Sequence, residues 1–311
     1  MRWGDRFLCD TCHRMSRSPT SEASGQPQWL TTDDGVRLRY VDRGQFNTGA
    51  GCVVFLHGWS ANGRWFDRNV CISTQVRVVT MDYRGMGDSA HPGHGFRVSR
   101  LAADVRCLLS ELNLDKVVLV GTSLGFTVIM NYIELFGTER VAGVAFVDQS
   151  ACMYSKPGWT CGAPDLSNMA LVAALDALLQ TDFPALADGI IASGFGESPP
   201  SDSEHEFFKR EILKCDPRAL GALMYHHANL DFRDLLPQIK VPVLNFVGGA
   251  TKCHHVRGIE YIGEVCPRAR NVTFEKSGHW LYWEEPQRFN EEILQFVKIC
   301  FAVASGGDEG S

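Results

Sequence analysis

The sequence predicts an α/β protein, and two observations carry that prediction. Between residues 36 and 147, short valine-rich runs alternate with longer amphipathic stretches. The runs are apolar on both faces, as in parallel strands covered by helices. Together they give the βαβα order of an α/β domain.

The elements follow in order. Residues 36–41 alternate apolar and polar and read as an antiparallel edge strand. Strands are then expected at 52–56, 77–81, 117–120 and 141–147. A helix is expected over 99–112, where Leu101, Val105, Leu108, Leu109 and Leu112 recur at helical spacing. A second helical run covers 126–135.

From about residue 150 to 236 the strand signal stops. Leu171, Val172, Leu175, Leu178 and Leu179 share one face of a helix over 166–179. Ser203-Glu204-His205-Glu206 offers a capping box ahead of a helix over 207–213. Asp216-Pro217 reads as an N-cap with proline in the first turn of a helix reaching Asn229. The strand rhythm resumes at 241–247 and 271–274, and a closing helix spans about 286–301. The expected organisation is therefore a tail over 1–28, a core over 29–149 and 237–303, a helical insertion over 150–236, and a Gly-rich acidic tail over 304–311.

Composition excludes several classes of function. Of 311 residues, 45% are hydrophobic and 21% charged, which is globular rather than disordered composition. The net charge of −6 comes with no basic patch, so no nucleic-acid partner is expected. No run approaches the roughly 18 apolar residues of a membrane span, and the N-terminus lacks the apolar segment of a secretory signal. Eleven cysteines, an odd number without compact spacing, fit free thiols in a reducing, cytoplasmic compartment. Cys9-x-x-Cys12-His13 matches the haem-attachment pattern by coincidence, since no export signal accompanies it. His226-His227 and His254-His255 lack the partners of a metal site and read as solvated or core histidines. No metal or cofactor is expected.

Four motifs carry chemistry. Gly121-Thr122-Ser123-Leu124-Gly125 follows a strand and opens a helix, the setting in which G-x-S-x-G is a nucleophile elbow. His57-Gly58-Trp59 follows the strand at 52–56, and His57 reads as a buried residue tying that loop down. The stretch from Asp82 to Ser89 (DYRGMGDS) reads as a tight structural loop, Asp82 included. Ser277-Gly278-His279-Trp280 lies between the last strand and the last helix, where a histidine can reach over the sheet edge to Ser123.

In this order and spacing, HGW, DYRGMGDS, GTSLG and SGHW resemble the α/β-hydrolase superfamily over about residues 30–301. The stretch HGWSANGRW is most similar to its cofactor-free haloperoxidase and esterase branch. The resemblance implies the α/β-hydrolase fold, with a mostly parallel sheet and an inserted helical lid. It also implies hydrolysis of an ester, lactone or thioester through an acyl-enzyme. Ser123 is then the nucleophile, His279 the base, and the amides of Trp59 and Leu124 the oxyanion donors.

The acid departs from the family pattern, because no Asp or Glu occurs from Val241 through Ile259, where the family usually places it. Asp148, directly after the strand at 141–147, is the expected replacement, with a loop-capping role as its alternative. Trp59, Leu171, Leu175, Phe207, Met224 and Tyr225 are expected to line the site of a small substrate bearing an acyl group. The stretch from Asp148 to Leu236 holds thirteen acidic and six basic residues, which disfavours a strongly anionic substrate. Two alternatives stand beside hydrolysis: perhydrolysis, and a ligand-binding protein with little turnover. The sequence carries no signal of oligomeric state.

Overall fold

A computed structural model describes residues 25–44 and 51–305. The motif Cys9-x-x-Cys12-His13, most of the expected tail over 1–28, and residues 306–311 lie outside the described residues.

Eight strands form one sheet in the order β1-β2-β4-β3-β5-β6-β7-β8. These are β1 (Pro27–Thr31), β2 (Arg37–Arg43), β3 (Cys52–Leu56), β4 (Arg77–Met81), β5 (Val117–Thr122), β6 (Val141–Val147), β7 (Val243–Gly248) and β8 (Ala269–Phe274). From β4 to β8 every pairing is parallel, while β1 and β2 are antiparallel additions. Strands β3, β5, β6 and β7 are buried at every position, as their unbroken apolar runs require. The covering helices include α1 (Val98–Glu111) and α2 (Leu124–Phe136), early in the chain.

The expected edge strand is not at the edge. β2 lies between β4 and a further strand, β1, with Pro27 opposite Val41 and Thr31 opposite Arg37. Its signal was short: of PQWLT only Leu30 is buried, and proline at a strand's first residue is confined to edges. The Tyr40 hydroxyl donates to Gln28 Oε1 at 2.9 Å, and the Arg37 guanidinium sits 4.4 Å over the Trp29 ring. The folded domain thus begins before residue 29.

Four helices fill the segment between β6 and β7: α3 (Met169–Thr181), α4 (Phe183–Gly194), α5 (Asp202–Ile212) and α6 (Pro217–Asn229). Sequence reading missed α4, whose N-cap Asp182 accepts the Ala185 amide proton at 3.2 Å. It also started α5 too late. The capping box is Ser201 with Glu204, the same S-x-x-E spacing placed earlier, so residues 203–206 are already helical. The Asp216 cap and Pro217 start of α6 are as expected. After β7 come α7 (Val256–Val265), and after β8 the short α8 (Leu281–Glu284) and the closing α9 (Pro286–Ser305).

The loop after β4 is tied down by charge. Arg84 is fully buried and donates to Asp104 at 2.7 Å and to Asp34 at 2.8 Å. Asp82 accepts the amides of Gly63 and Asp88. Both roles are structural, as the sequence suggested. Among the described residues, no helix is long and apolar enough to cross a membrane.

The five-residue pairing of β1 yields a prediction. A chain beginning at Thr32 should melt several degrees below one beginning at Gly25, because burying Leu30 alone is worth about 2 kcal/mol. Equal melting temperatures by calorimetry would contradict this role for β1.

Candidate active site

The site begins at the turn from β5 into α2. Ser123 sits there with φ +52° and ψ −115°, a backbone conformation that is costly for a residue with a Cβ. The flanking glycines make the turn possible. A Cβ on Gly121 would lie 2.5 Å from the Gly125 carbonyl, and one on Gly125 would collide with the Leu56 carbonyl oxygen. The strain presents Ser123 at the N-terminus of α2, where the helix dipole favours negative charge.

The loop holding Trp59 abuts this turn, since a Cβ built on Gly58 would be 3.4 Å from the Ser123 Cβ. Beneath it, His57 is fully buried with both nitrogens engaged. Its Nδ1–H donates to the Gly58 carbonyl at 2.8 Å, and Nε2 accepts the Tyr83 amide proton at 3.1 Å. The Trp59 indole N–H donates to the Leu220 carbonyl at 2.9 Å, which fixes that ring against α6. The backbone amides of Trp59 and Leu124 donate to no protein acceptor among the described residues.

His279 stands on the loop between β8 and α8. Glu284 holds that loop by accepting the Gly278 amide proton at 2.7 Å and that of Gly196 at 2.9 Å. Burial raises the Glu284 pKa. The Ser277 hydroxyl donates to Glu285 Oε1 at 2.6 Å.

Asp148 follows β6 directly, fully buried and with φ +47°. Its Oδ1 accepts the Gly248 amide proton at 2.9 Å, and its Oδ2 accepts the Thr251 hydroxyl at 2.7 Å. The same Oδ2 lies 2.7 Å from His279 Nδ1. An ionised carboxylate can only accept, so Nδ1 carries the proton and Nε2 keeps a free lone pair.

A cavity of about 470 Å³ opens over this group. It brings together Ser123, His279, Trp59, Leu171, Leu175 and Met224. Two expected lining residues are elsewhere. Phe207 stacks on Trp283 with ring centroids 5.1 Å apart, outside the cavity. Helical neighbours point about 100° apart, and α5 turns Phe208 inward instead, against Trp65 and Trp280. Tyr225 packs beside Val172 and Ala228 rather than in the cavity, because α6 gives that face to Met224 and His227.

Two residues that sequence reading set aside do line it. His227 and His254 are buried in the cavity wall, the His254 ring 5.4 Å from that of His279. The signal for His227 was available, since it lies three residues after Met224 on one helix face. His254 offered none, because a loop has no period. Among the described residues, no three His, Cys, Asp or Glu gather as a metal site.

The alpha/beta hydrolase family model matches residues 53–292. The chain belongs to the alpha/beta hydrolase family. Its relatives place this family member near the haloperoxidase and esterase branch. The pimeloyl-[acyl-carrier protein] methyl ester esterase of Aliivibrio fischeri (strain MJ11) is 25% identical over 252 residues, covering 79% of this chain and 93% of that one. The non-heme chloroperoxidase CPO-A1 of Kitasatospora aureofaciens is 25% identical over 280 residues, covering 86% and 98%. The solved esterase EaEST from Exiguobacterium antarcticum shares the fold, with a TM-score of 0.81 at 24% identity over 88% of this chain and all of that one.

Burial has a consequence for acid stability. It pushes the imidazoles of His57, His227 and His254 each down to about 3. Unfolded, each titrates near pH 6.5, so below that pH the unfolded chain binds more protons and stability falls as pH falls. Between pH 6.5 and 5, each should remove up to about 1.4 kcal/mol per pH unit. Urea unfolding across this window checks it, and a flat stability would contradict three neutral buried histidines.

Proposed function

We propose that the protein is a serine hydrolase that cleaves a carboxylic ester, lactone or thioester through an acyl-enzyme. The observation that carries this reading is the 2.7 Å contact between His279 Nδ1 and Asp148 Oδ2, on a histidine that shares its cavity with the strained Ser123. In this reading Ser123 Oγ attacks the acyl carbonyl carbon while its proton passes to His279 Nε2. Asp148 stabilises the imidazolium so formed. The Trp59 and Leu124 amides, which have no protein acceptor among the described residues, donate to the oxyanion. His279 then returns the proton to the leaving oxygen or sulfur as its bond to the acyl carbon breaks. Water repeats the sequence and releases the acid.

Residues 150–236 act as the lid over the core at 29–149 and 237–303. The apolar side chains of Leu171, Leu175, Leu178, Leu186, Ile190 and Met224 suit an acyl chain. The names of the relatives, an esterase and a chloroperoxidase, support this chemistry and keep perhydrolysis as a second reading, with hydrogen peroxide replacing water at the acyl-enzyme. Free thiols along the chain support a cytoplasmic location.

A serine-directed fluorophosphonate should modify Ser123, and Ser123→Ala should abolish both labelling and turnover. A folded wild-type protein that resists labelling would contradict the hydrolase reading and leave a ligand-binding protein. Asp148→Asn should stay folded and lose turnover by about 10⁴-fold. Turnover within tenfold of wild type would move the acid elsewhere.

The cavity wall gives a separate expectation. Leu175→Ala should shift the preferred acyl length upward by opening space in the cavity, as read from kcat/KM over a chain-length series. An unchanged length profile would make Leu175 ordinary helix packing.

A further inference from the structure

His254 differs from the other two histidines of the cavity, whose Nδ1 atoms are paired with Thr127 and Asp148. It is 6% exposed, lines the cavity, and has its Nδ1 sealed from solvent with no hydrogen-bond partner. Elsewhere in the wall, Lys252 donates to the Ala192 carbonyl, Ser193 to the Ile190 carbonyl, and His227 pairs its Nδ1 with the Thr127 hydroxyl at 2.7 Å. With Nδ1 enclosed, Nε2 is the His254 nitrogen that meets the cavity.

The sealed nitrogen also decides the tautomer. A buried N–H without an acceptor is among the rarest defects in folded proteins, whereas an unfilled acceptor is tolerated more often. The proton therefore belongs on Nε2. Burial keeps the ring uncharged, so the cavity receives a neutral donor. Such a donor brings no charge to pair with an anionic substrate group, and it suits an uncharged oxygen.

We propose that His254 is a specificity-determining residue whose Nε2–H takes a hydroxyl or carbonyl oxygen carried by the substrate close to its scissile ester. The inference deepens the hydrolase reading and rests on it. The ring's distance from His279 places the subsite within one side chain of the reacting atoms. The favoured substrates are oxygenated acyl esters or lactones rather than plain hydrocarbon ones. His227 lines the same cavity.

The test compares a straight-chain acyl ester with its α-hydroxy, β-hydroxy and β-oxo counterparts, each kcat/KM divided by the substrate's alkaline hydrolysis rate. The wild-type enzyme should favour at least one oxygenated ester by about tenfold, the value of one buried hydrogen bond. His254→Leu should bring that ratio close to one, while His254→Gln, which retains an amide donor at similar reach, should keep part of it. Turnover of all the esters with no oxygen preference in the wild type overturns the inference and leaves the hydrolase reading intact. A preference that survives His254→Leu also overturns it. No turnover of any ester overturns both readings together. If the leucine variant does not fold, the wild-type ratio and the glutamine variant decide.

Discussion

The structure depends on one buried carboxylate being held where an imidazole can reach it. Asp148 has no access to water, and its carboxylate is held by two donors from the turn at 248–251. Gly248 brings its amide to Oδ1 from the end of β7. A Cβ there would lie 2.9 Å from that same oxygen, so glycine is needed for the approach. Thr251 supplies a hydroxyl to Oδ2 from the following loop. With His279 from the loop after β8, three segments distant in sequence meet at one carboxylate, and the parallel order β6-β7-β8 puts them side by side.

The same arrangement supports the proposed acid. The loop after β7 has no carboxylate, yet it still reaches the imidazole's partner through the Thr251 hydroxyl. In the proposed triad the acid is Asp148, at the neighbouring strand end, and Thr251 in the loop donates to it. Asp148 takes positive φ to do this, an unfavourable conformation that three hydrogen bonds to its carboxylate offset. Around it the cavity is apolar and its other histidines are uncharged. In such surroundings the attraction between an imidazolium and a carboxylate is screened less than it would be in water.

Sequence reading was strongest where a local rule has a local cause. The elbow at Ser123 was legible because two glycines and a strand-to-helix transition are all contained in a few residues. The sheet strands were legible because parallel strands must be apolar on both faces. Asp148 and its pairing with His279 were reached from its place at a strand end, whereas its donors Gly248 and Thr251 were not, because they arise from tertiary contact. β1 was missed because an edge strand with one buried residue has almost no pattern. Phe207 and Tyr225 were expected in the cavity and lie outside it, since periodicity shows that a face is apolar without showing which neighbour it meets. His227 and His254 were set aside because paired histidines suggest metal or solvent; helical spacing from Met224 could have found His227, but nothing in a loop could have found His254.

The central claim is that Asp148 fixes the tautomer of His279 and so leaves Nε2 free for Ser123. The most direct measurement is nitrogen-15 NMR of the resting wild-type protein with labelled histidine, reading which ring nitrogen of His279 is protonated. The account predicts a proton on Nδ1, shifted strongly downfield by its carboxylate partner, and a bare Nε2. A proton on Nε2 with Nδ1 unprotonated would contradict it.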